Sequence, residues 1–430
     1  MLLLSIYRLH QKMMIIITTA AIAFTLFSLF VIYACAIADP DTSNVGRFCT
    51  KELPSFLYQQ LEKTVGKKVL SHLNTLVDRA FQLVYLTVVL GSWSIMFCYG
   101  YEEIEKSNYI STYHQYSGYV VFLMCMSSFH CACNTPPGSV TARSMPLFDH
   151  YAYDDVLYKK QTCPTLKIRK ISRSKYDRFT RRHVPRFDHF CGWINQAVGE
   201  QNYRWFLLFL TVHVVMCFYG SWAVFRVLYG EVLEKDLLNA SFFNAITGAE
   251  VQADSWIVFH YLFLRHTQLC SVFILMSVMT VVLCLFLCFH LYITSKNMTT
   301  NEFFKWKSVR RWHKKEKQKY EQSLQYREVA DKKTNNIESK NSTGVPGELS
   351  DVDVGCTGPR GELLQHSASD SEVMDPGQLP KNIYDKGIIA NFKEVLYPYS
   401  FREEAIQRYM ISVSNQREST KEREGKPKTI

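Results

Sequence analysis

The sequence predicts an all-α polytopic membrane protein with about five transmembrane helices and an irregular loop between the third and fourth. Three observations carry that prediction. The 47% of residues that are hydrophobic are concentrated in a few long runs. Lysine and arginine crowd into some of the segments between those runs and avoid others. The last third of the chain is polar. A helix needs about 20 apolar residues to cross a hydrocarbon layer of about 30 Å, and five runs meet that length: residues 13–38, 80–101, 113–133, 205–227 and 269–293.

Residues 13–38 carry no charge and no A-x-A-like end, and they exceed a signal-peptide core, so they read as an anchor. The run at 113–133 is polar at its start. Orientation follows from the bases. The segment between the third and fourth runs holds Arg143, Lys159, Lys160, Lys167, Arg169, Lys170, Arg173, Lys175, Arg178, Arg181, Arg182, Arg186 and Arg204. The segment between the second and third holds Lys106 beside Glu102, Glu103 and Glu105. This asymmetry assigns residues 39–79, 134–204 and 294–430 to the cytosol. Asn239-Ala240-Ser241, on the opposite side, is then a candidate glycan acceptor, while the sequons at Asn297 and Asn341 stay bare.

Of the 13 cysteines, Cys35, Cys98, Cys125, Cys217, Cys270, Cys284 and Cys288 lie inside apolar runs, where cysteine acts as a small hydrophobe. No disulfide framework is expected. The glycines form no dinucleotide or P-loop pattern, and the chain has no internal repeat. A channel or transporter needs ionisable groups within its spans; His114, His130, His213, Arg226 and His290 are scattered there. His130-x-x-Cys133 with Cys131 reads as packing or self-acylation rather than a metal site. The net charge of +10 does not argue for nucleic acid. The basic run Lys167–Arg186 lies between two spans, which leaves three readings: a topology determinant, a surface for anionic lipid worth about 1 kcal/mol per base, or a landing site for a phosphorylated cofactor.

Beyond the fifth run, residues 294–310 read as a short helix. Residues 311–380 have the low hydrophobicity and high charge of a disordered linker. Residues 381–400 turn apolar and aromatic and are expected to dock back, and 401–430 form a charged tail. Lys426 and Lys428 resemble a dilysine retrieval signal for the endoplasmic reticulum. The remaining divisions are 1–133 for three spans, 134–204 for the reactive loop and 205–293 for two further spans.

The chemistry is concentrated in Asp188-His189-Phe190-Cys191. A thiol is a weak nucleophile at its free pKa of about 8.5, and an adjacent imidazole activates it. A carboxylate beside that imidazole fixes its tautomer and stabilises its charge. Nucleophile, base and orienting group are thus within four residues.

With this tetrad, the chain resembles the DHHC protein S-acyltransferases. Phe187 to Trp193 and Asn202-Tyr203-Arg204-Trp205-Phe206 resemble the family's FDHHCxW and NYRxF segments. Thr299-Thr300-Asn301-Glu302 resembles its TTxE motif, and Asn382 to Gly387, with Asn391 four residues on, its C-terminal asparagine motif. Tyr151 to Asp154 looks most like an endoplasmic-reticulum branch with five spans. The resemblance covers roughly residues 70–310 and 381–398.

It implies Cys191 as acylated nucleophile, His189 as base and Asp188 as orienter. It implies acyl-CoA as donor, met by Arg186, Arg204 and Trp193, with membrane-associated proteins as acceptors, the bilayer as setting and the endoplasmic reticulum or Golgi as location. Thr299, Thr300, Glu302 and Asn382 become structural motif residues, with Thr300 bonded to Asp188; a helix-end cap with Glu302 is the simpler role for the threonines. The family also implies two zinc ions. The positions here are Cys163, Leu166, Tyr176 and His183 for one, and Asp177, Thr180, Phe190 and Ala197 for the other. Structural zinc takes four N or S ligands, so Cys163 and His183 are remnants, zinc is expected to be lost, and Tyr176, Phe179, Phe187 and Phe190 are expected to fill the volume. Pro136-Pro137-Gly138 replaces the family's Asp-Pro-Gly. A catalytically inactive membrane scaffold or regulator is the alternative reading.

Overall fold

The computed structural model describes residues 47–48, 52–243, 248–341 and 374–424. The expected span 13–38 and the dilysine-like end lie outside them. Four described helices are long and apolar enough to cross a membrane: Arg79–Lys106, Tyr113–Asn134, Tyr203–Glu234 and Thr267–Ser295. Each contains one of the four runs expected at 80–101, 113–133, 205–227 and 269–293.

Helix α1 (Leu53–Val65) turns at Gly66, φ 80°, into α2 (Lys67–Ile95). The latter passes through a π-helical turn, Met96–Gly100, into α3 (Tyr101–Lys106). Helix α4 (Tyr113–Asn134) follows, and a short α5 (Met145–Phe148). Helix α6 (Tyr203–Glu234) is the central span and packs on both α4 and the later α8 (Thr267–Ser295). Val89, Trp93, Cys125, Val212, Met216 and Met276 form the core between them. Outward-facing Leu83, Val84, Leu123, Phe218 and Leu285 stay exposed, as a lipid-facing surface requires.

Between α4 and α6 the loop is built of three small antiparallel hairpins, where the sequence suggested only irregular chain. They are β1–β2 (Gln161–Thr162, Arg169–Lys170), β3–β4 (Lys175–Asp177, Arg182–Val184) and β5–β6 (His189–Cys191, Gln196–Val198). Lys167, Arg181 and Asn195 take positive φ at the turns. A fourth hairpin, β7–β8 (Ser241–Phe243, Glu250–Gln252), and α7 (Ser255–Arg265) lie between α6 and α8.

After α8, helix α9 runs Thr300–Asn341. Residues 311–341 are therefore helical, which corrects the expectation of a disordered linker there. Low hydrophobicity denies this stretch a core, yet Lys, Glu, Gln and Arg are strong helix formers, and pairs such as Lys319–Glu316 at 2.8 Å support it along its own surface. Residues 342–373 lie outside the described part.

The C-terminal segment does pack back. Helix α10 (Ile388–Leu396) lies against α8 and α6, followed by a 3₁₀ turn (Tyr399–Phe401) and α11 (Glu403–Glu424). Asn382 Nδ2 donates to Lys296 O (2.8 Å). Asn391, fully buried, donates to Ser295 O (2.8 Å) and Asp385 Oδ1 (2.7 Å). Ser400 N donates to Oε1 of buried Glu200 (3.1 Å).

Burial pushes the Glu200 carboxyl up to about 7, against hydrogen bonds from Ser400 that favour its charge. The folded protein then holds this proton more tightly than the unfolded chain. Stability falls as pH rises from the ordinary 4.5 through about 7. We expect Glu200→Gln to melt higher than the wild type at pH 8 and the gap to close by about pH 5. A thermal-shift series that finds the same gap at both pH values would contradict this assignment.

Candidate active site

Cys191 ends β5 and is 8% exposed. It shares a cluster with Phe129, Ala132, Ile194, Val198, Phe206 and Leu207, at the ends of α4 and α6. The thiol therefore sits where the hairpin loop meets the apolar bundle. The hairpin register pairs Cys191 with Gln196 and His189 with Val198. Gln196 Nε2 donates to the carbonyls of Cys133 and Thr135, both at 2.9 Å, which fixes β6 to the end of α4.

Asp188, 2% exposed, is the most constrained group here. Its Oδ2 accepts from His189 Nδ1 (2.6 Å) and from Thr300 Oγ1 (2.8 Å), and its Oδ1 accepts from Thr300 N (2.7 Å). Thr300 is the first residue of α9, so the carboxylate stands at a helix N-terminus, where unpaired N–H groups favour negative charge. Burial opposes ionisation of Asp188, but the His189 and Thr300 bonds reverse this and hold its carboxyl below the usual range.

His189 responds in turn. Burial disfavours its charge, yet its hydrogen bond to Asp188 and the nearby Cys191 sulfur outweigh burial and raise it to about 10. With Nδ1 committed to Asp188, it is Nε2 that remains for the Cys191 sulfur. The group can hold an imidazolium beside a thiolate and pass one proton between sulfur atoms.

His290 of α8 comes close as well, 5.8 Å from His189 between ring centroids. Sequence reading noted it only as an ionisable group within a span. Asp188, His189 and His290 form the single cluster of three metal-ligand types among the described residues. Both Asp188 oxygens, however, already accept hydrogen bonds, which describes an acid–base relay.

The zinc positions do not fit zinc. At the second, Asp177 Oδ2 accepts from Thr180 N (2.8 Å) and Oγ1 (2.6 Å), closing the β3–β4 turn on itself. Phe190 stacks on Phe179 with centroids 4.5 Å apart, and Ala197 is fully buried in a cluster with Val184 and Phe187. At the first, Cys163 and His183 are buried, but Leu166 and Tyr176 offer no N or S ligand. His183 has no partner on either ring nitrogen, and burial, with Lys170 nearby, lowers it to about 4, so it stays neutral. Two donors are half of a structural site.

The proposed donor contacts are partly corrected. Arg186 is 4% exposed and donates from Nη2 to Asn297 Oδ1 (3.0 Å), so it is held inside the protein rather than on the loop surface, with its Nε unpartnered. Arg204 Nη1 donates to Leu396 O (3.1 Å) and its guanidinium lies over Phe401, which ties it to the C-terminal segment. Trp193 is half-exposed, edge-on to Phe81 at 5.4 Å, on the rim of the first described span. Thr299 and Glu302 form a reciprocal cap: Thr299 N donates to Glu302 Oε2 (2.9 Å) and Glu302 N to Thr299 Oγ1 (3.2 Å). Both sequence readings of the threonines therefore hold, Thr299 capping and Thr300 binding Asp188.

Comparison with known proteins gives the chain's similarities. The family model described as DHHC palmitoyltransferase matches residues 157–307. Palmitoyltransferase ZDHHC4 of Mus musculus is 32% identical over 198 residues, 45% of this chain and 57% of that protein. Palmitoyltransferase SWF1 of Yarrowia lipolytica is 28% identical over 321 residues, 71% of this chain and 76% of that protein. Palmitoyltransferase swf1 of Schizosaccharomyces pombe is 24% identical over 319 residues, 74% of this chain and 75% of that protein. The match to the mouse protein thus spans little more than half of its length.

The donor set makes a direct prediction about metal. Purified protein is expected to carry far less than one zinc per chain, and chelator to leave its melting unchanged. Stoichiometric zinc, or unfolding on chelation, would contradict the packing described for Asp177, Thr180, Phe190 and Ala197.

Proposed function

On the premise that residues 157–307 of this chain are a DHHC palmitoyltransferase domain, we propose that the protein is an S-acyltransferase working through an acyl-Cys191 intermediate. The observation that carries the reading is the line of hydrogen bonds Thr300–Asp188–His189, on the strand that also carries Cys191 two residues on.

In the first step Cys191 sulfur attacks the thioester carbonyl carbon of a long-chain acyl-CoA such as palmitoyl-CoA. The carbon–sulfur bond to CoA breaks, and the His189 imidazolium gives its proton to the departing thiolate. In the second step the now neutral His189 takes the proton from an acceptor cysteine, whose sulfur attacks acyl-Cys191. The acyl chain moves to the acceptor and Cys191 is released. Each step exchanges one thioester for another, so the protein mainly supplies ionisation, orientation and proton handling. The apolar side chains around Cys191, with Leu86, Leu283 and Leu287 packed against them, suit a hydrocarbon chain, at about 0.8 kcal/mol per buried methylene.

The acceptors are cysteines of membrane-associated proteins. The reactive loop and the C-terminal segment face the cytosol, on the distribution of bases in the loops, and the dilysine-like Lys426 and Lys428 support an endoplasmic reticulum or Golgi membrane. Loss of the zinc ligands does not favour the scaffold reading, because none of the lost groups bonds Asp188, His189 or Cys191.

Incubation of purified protein with fluorescent palmitoyl-CoA is expected to label the wild type through a hydroxylamine-sensitive thioester. Cys191→Ser abolishes the label, and His189→Ala slows it by about 10²-fold or more. An unlabelled wild type, or a label that survives Cys191→Ser, would end the enzyme reading.

A further inference from the structure

Arg173 lies between β2 and β3 at φ 61°, with no side-chain exposure. Sequence reading counted it among the loop cations that set topology. Its guanidinium is instead the most heavily engaged cation in the described site. Nε donates to Glu302 Oε1 (2.7 Å) and Nη2 to Glu302 Oε2 (2.6 Å), a two-point grip on one carboxylate. Nη2 also donates to Asn297 O (2.9 Å) and Nη1 to Asn297 Oδ1 (3.0 Å), with Glu394 Oε1 3.7 Å from Nη1. Tyr151 and Tyr384 lie against the guanidinium, at 4.7 and 4.5 Å from its carbon. Burial opposes the charge of Glu302, but Arg173 reverses this and holds the carboxyl below its usual range.

A buried ion pair is weak grounds for stability, because desolvation offsets most of the attraction. What this one does supply is position. Glu302 is two residues from Thr300 and caps the same helix start through Thr299. The Arg173 carbonyl meanwhile accepts from Phe187 N (3.1 Å), the residue before Asp188. One residue therefore holds both sides of a single contact: its backbone holds the segment that carries Asp188 into β5, and its side chain holds the helix that carries Thr300. Tyr384 and Glu394 bring the C-terminal segment onto the same guanidinium.

We infer that Arg173 is a positioning residue of the acyl transfer, clamping the Glu302 cap of α9 and the Asp188 segment together so that Thr300 meets Asp188. The inference rests on the proposed acyltransferase reading for its rate effect, but its second readout needs no acyl donor. It also gives the C-terminal segment a role, as a wall of the clamp.

The test uses full-length protein in detergent and two conservative variants. Arg173→Lys keeps the charge and loses the planar fork; Glu302→Gln keeps the shape and loses the charge. Formation of acyl-Cys191 at saturating palmitoyl-CoA is expected to slow by about 10–100-fold in each, with the KM for palmitoyl-CoA unchanged. Alkylation of Cys191 by iodoacetamide, followed against pH, is the decisive measurement. The wild type is expected to keep a charged His189 beside the sulfur, and the reactivity that goes with it, up to about pH 10. In both variants that alkaline limb moves down toward neutral pH, and the double variant moves no further than the worse single one. Wild-type profiles in both variants, or a uniform loss at every pH without movement of the limb, would overturn the inference. If neither variant folds, Tyr158→Phe, which removes only the hydrogen bond from Tyr158 Oη to Glu302 (3.1 Å), is expected to move the limb the same way by less, and an unmoved limb overturns the inference. A wild type that takes no acyl label but shows the shifted limbs in its variants would defeat the acyltransferase reading alone.

Discussion

A carboxylate removed from water is stable as an anion only if other groups satisfy it, and Asp188 is satisfied from two directions. Thr300 meets it from the start of α9 and His189 from the next residue, the first of β5. The two partners belong to segments that are separated in sequence by an entire pair of membrane spans. The reacting hairpin can therefore have this geometry only if α6 and α8 pack side by side and deliver both segments to the same end of the bundle. The helix pairing, the hairpin register and the charge on His189 all converge on that one side chain.

The same requirement explains how a loop with an incomplete set of zinc ligands can be held together. A zinc centre joins distant parts of a chain through four strong bonds. Here the joining is done by polar bonds that reach outside the loop. Arg173 and Arg186 share the Asn297 side chain, and Tyr384 and Glu394 close over them from the C-terminal segment. Within the loop, the Asp177–Thr180 turn and the Phe179–Phe190 stack occupy positions where ligands would otherwise stand. The loop docks against its own helices, and this makes α9 and α10 parts of its core.

Much of this was legible in the sequence, and what was not has physical reasons. Long uncharged runs read as spans, and α4, α6 and α8 contain theirs with few residues added, while the run at 80–101 lies across α2, the π-helical turn and the start of α3. Thr300, Asn382 and Asn391 were found because a motif named them. Arg173 and Arg186 were not, because a loop cation looks the same in sequence whether it faces water or a carboxylate. Its partners come from residues 297, 302 and 394, and no local pattern predicts that meeting. Asn297 shows the reverse: it reads as a sequon, while its amide is buried and bonded to Tyr384 O at 2.8 Å. The helix over 311–341 was missed because low hydrophobicity was taken as disorder, whereas helix propensity along the chain does not require a core.

The central claim is that the hydroxyl of Thr300, through Asp188, keeps His189 charged beside Cys191. Replacing it isolates that atom. Thr300→Ser keeps the hydroxyl and Thr300→Val keeps the shape without it. Titration of His189 by NMR, with the imidazole carbon isotopically labelled, reads the consequence without any acyl donor. The serine variant is predicted to titrate near the wild-type value of about 10, and the valine variant well below it. Equal titration in wild type and Thr300→Val would show that the charge on His189 is set elsewhere and would contradict the account.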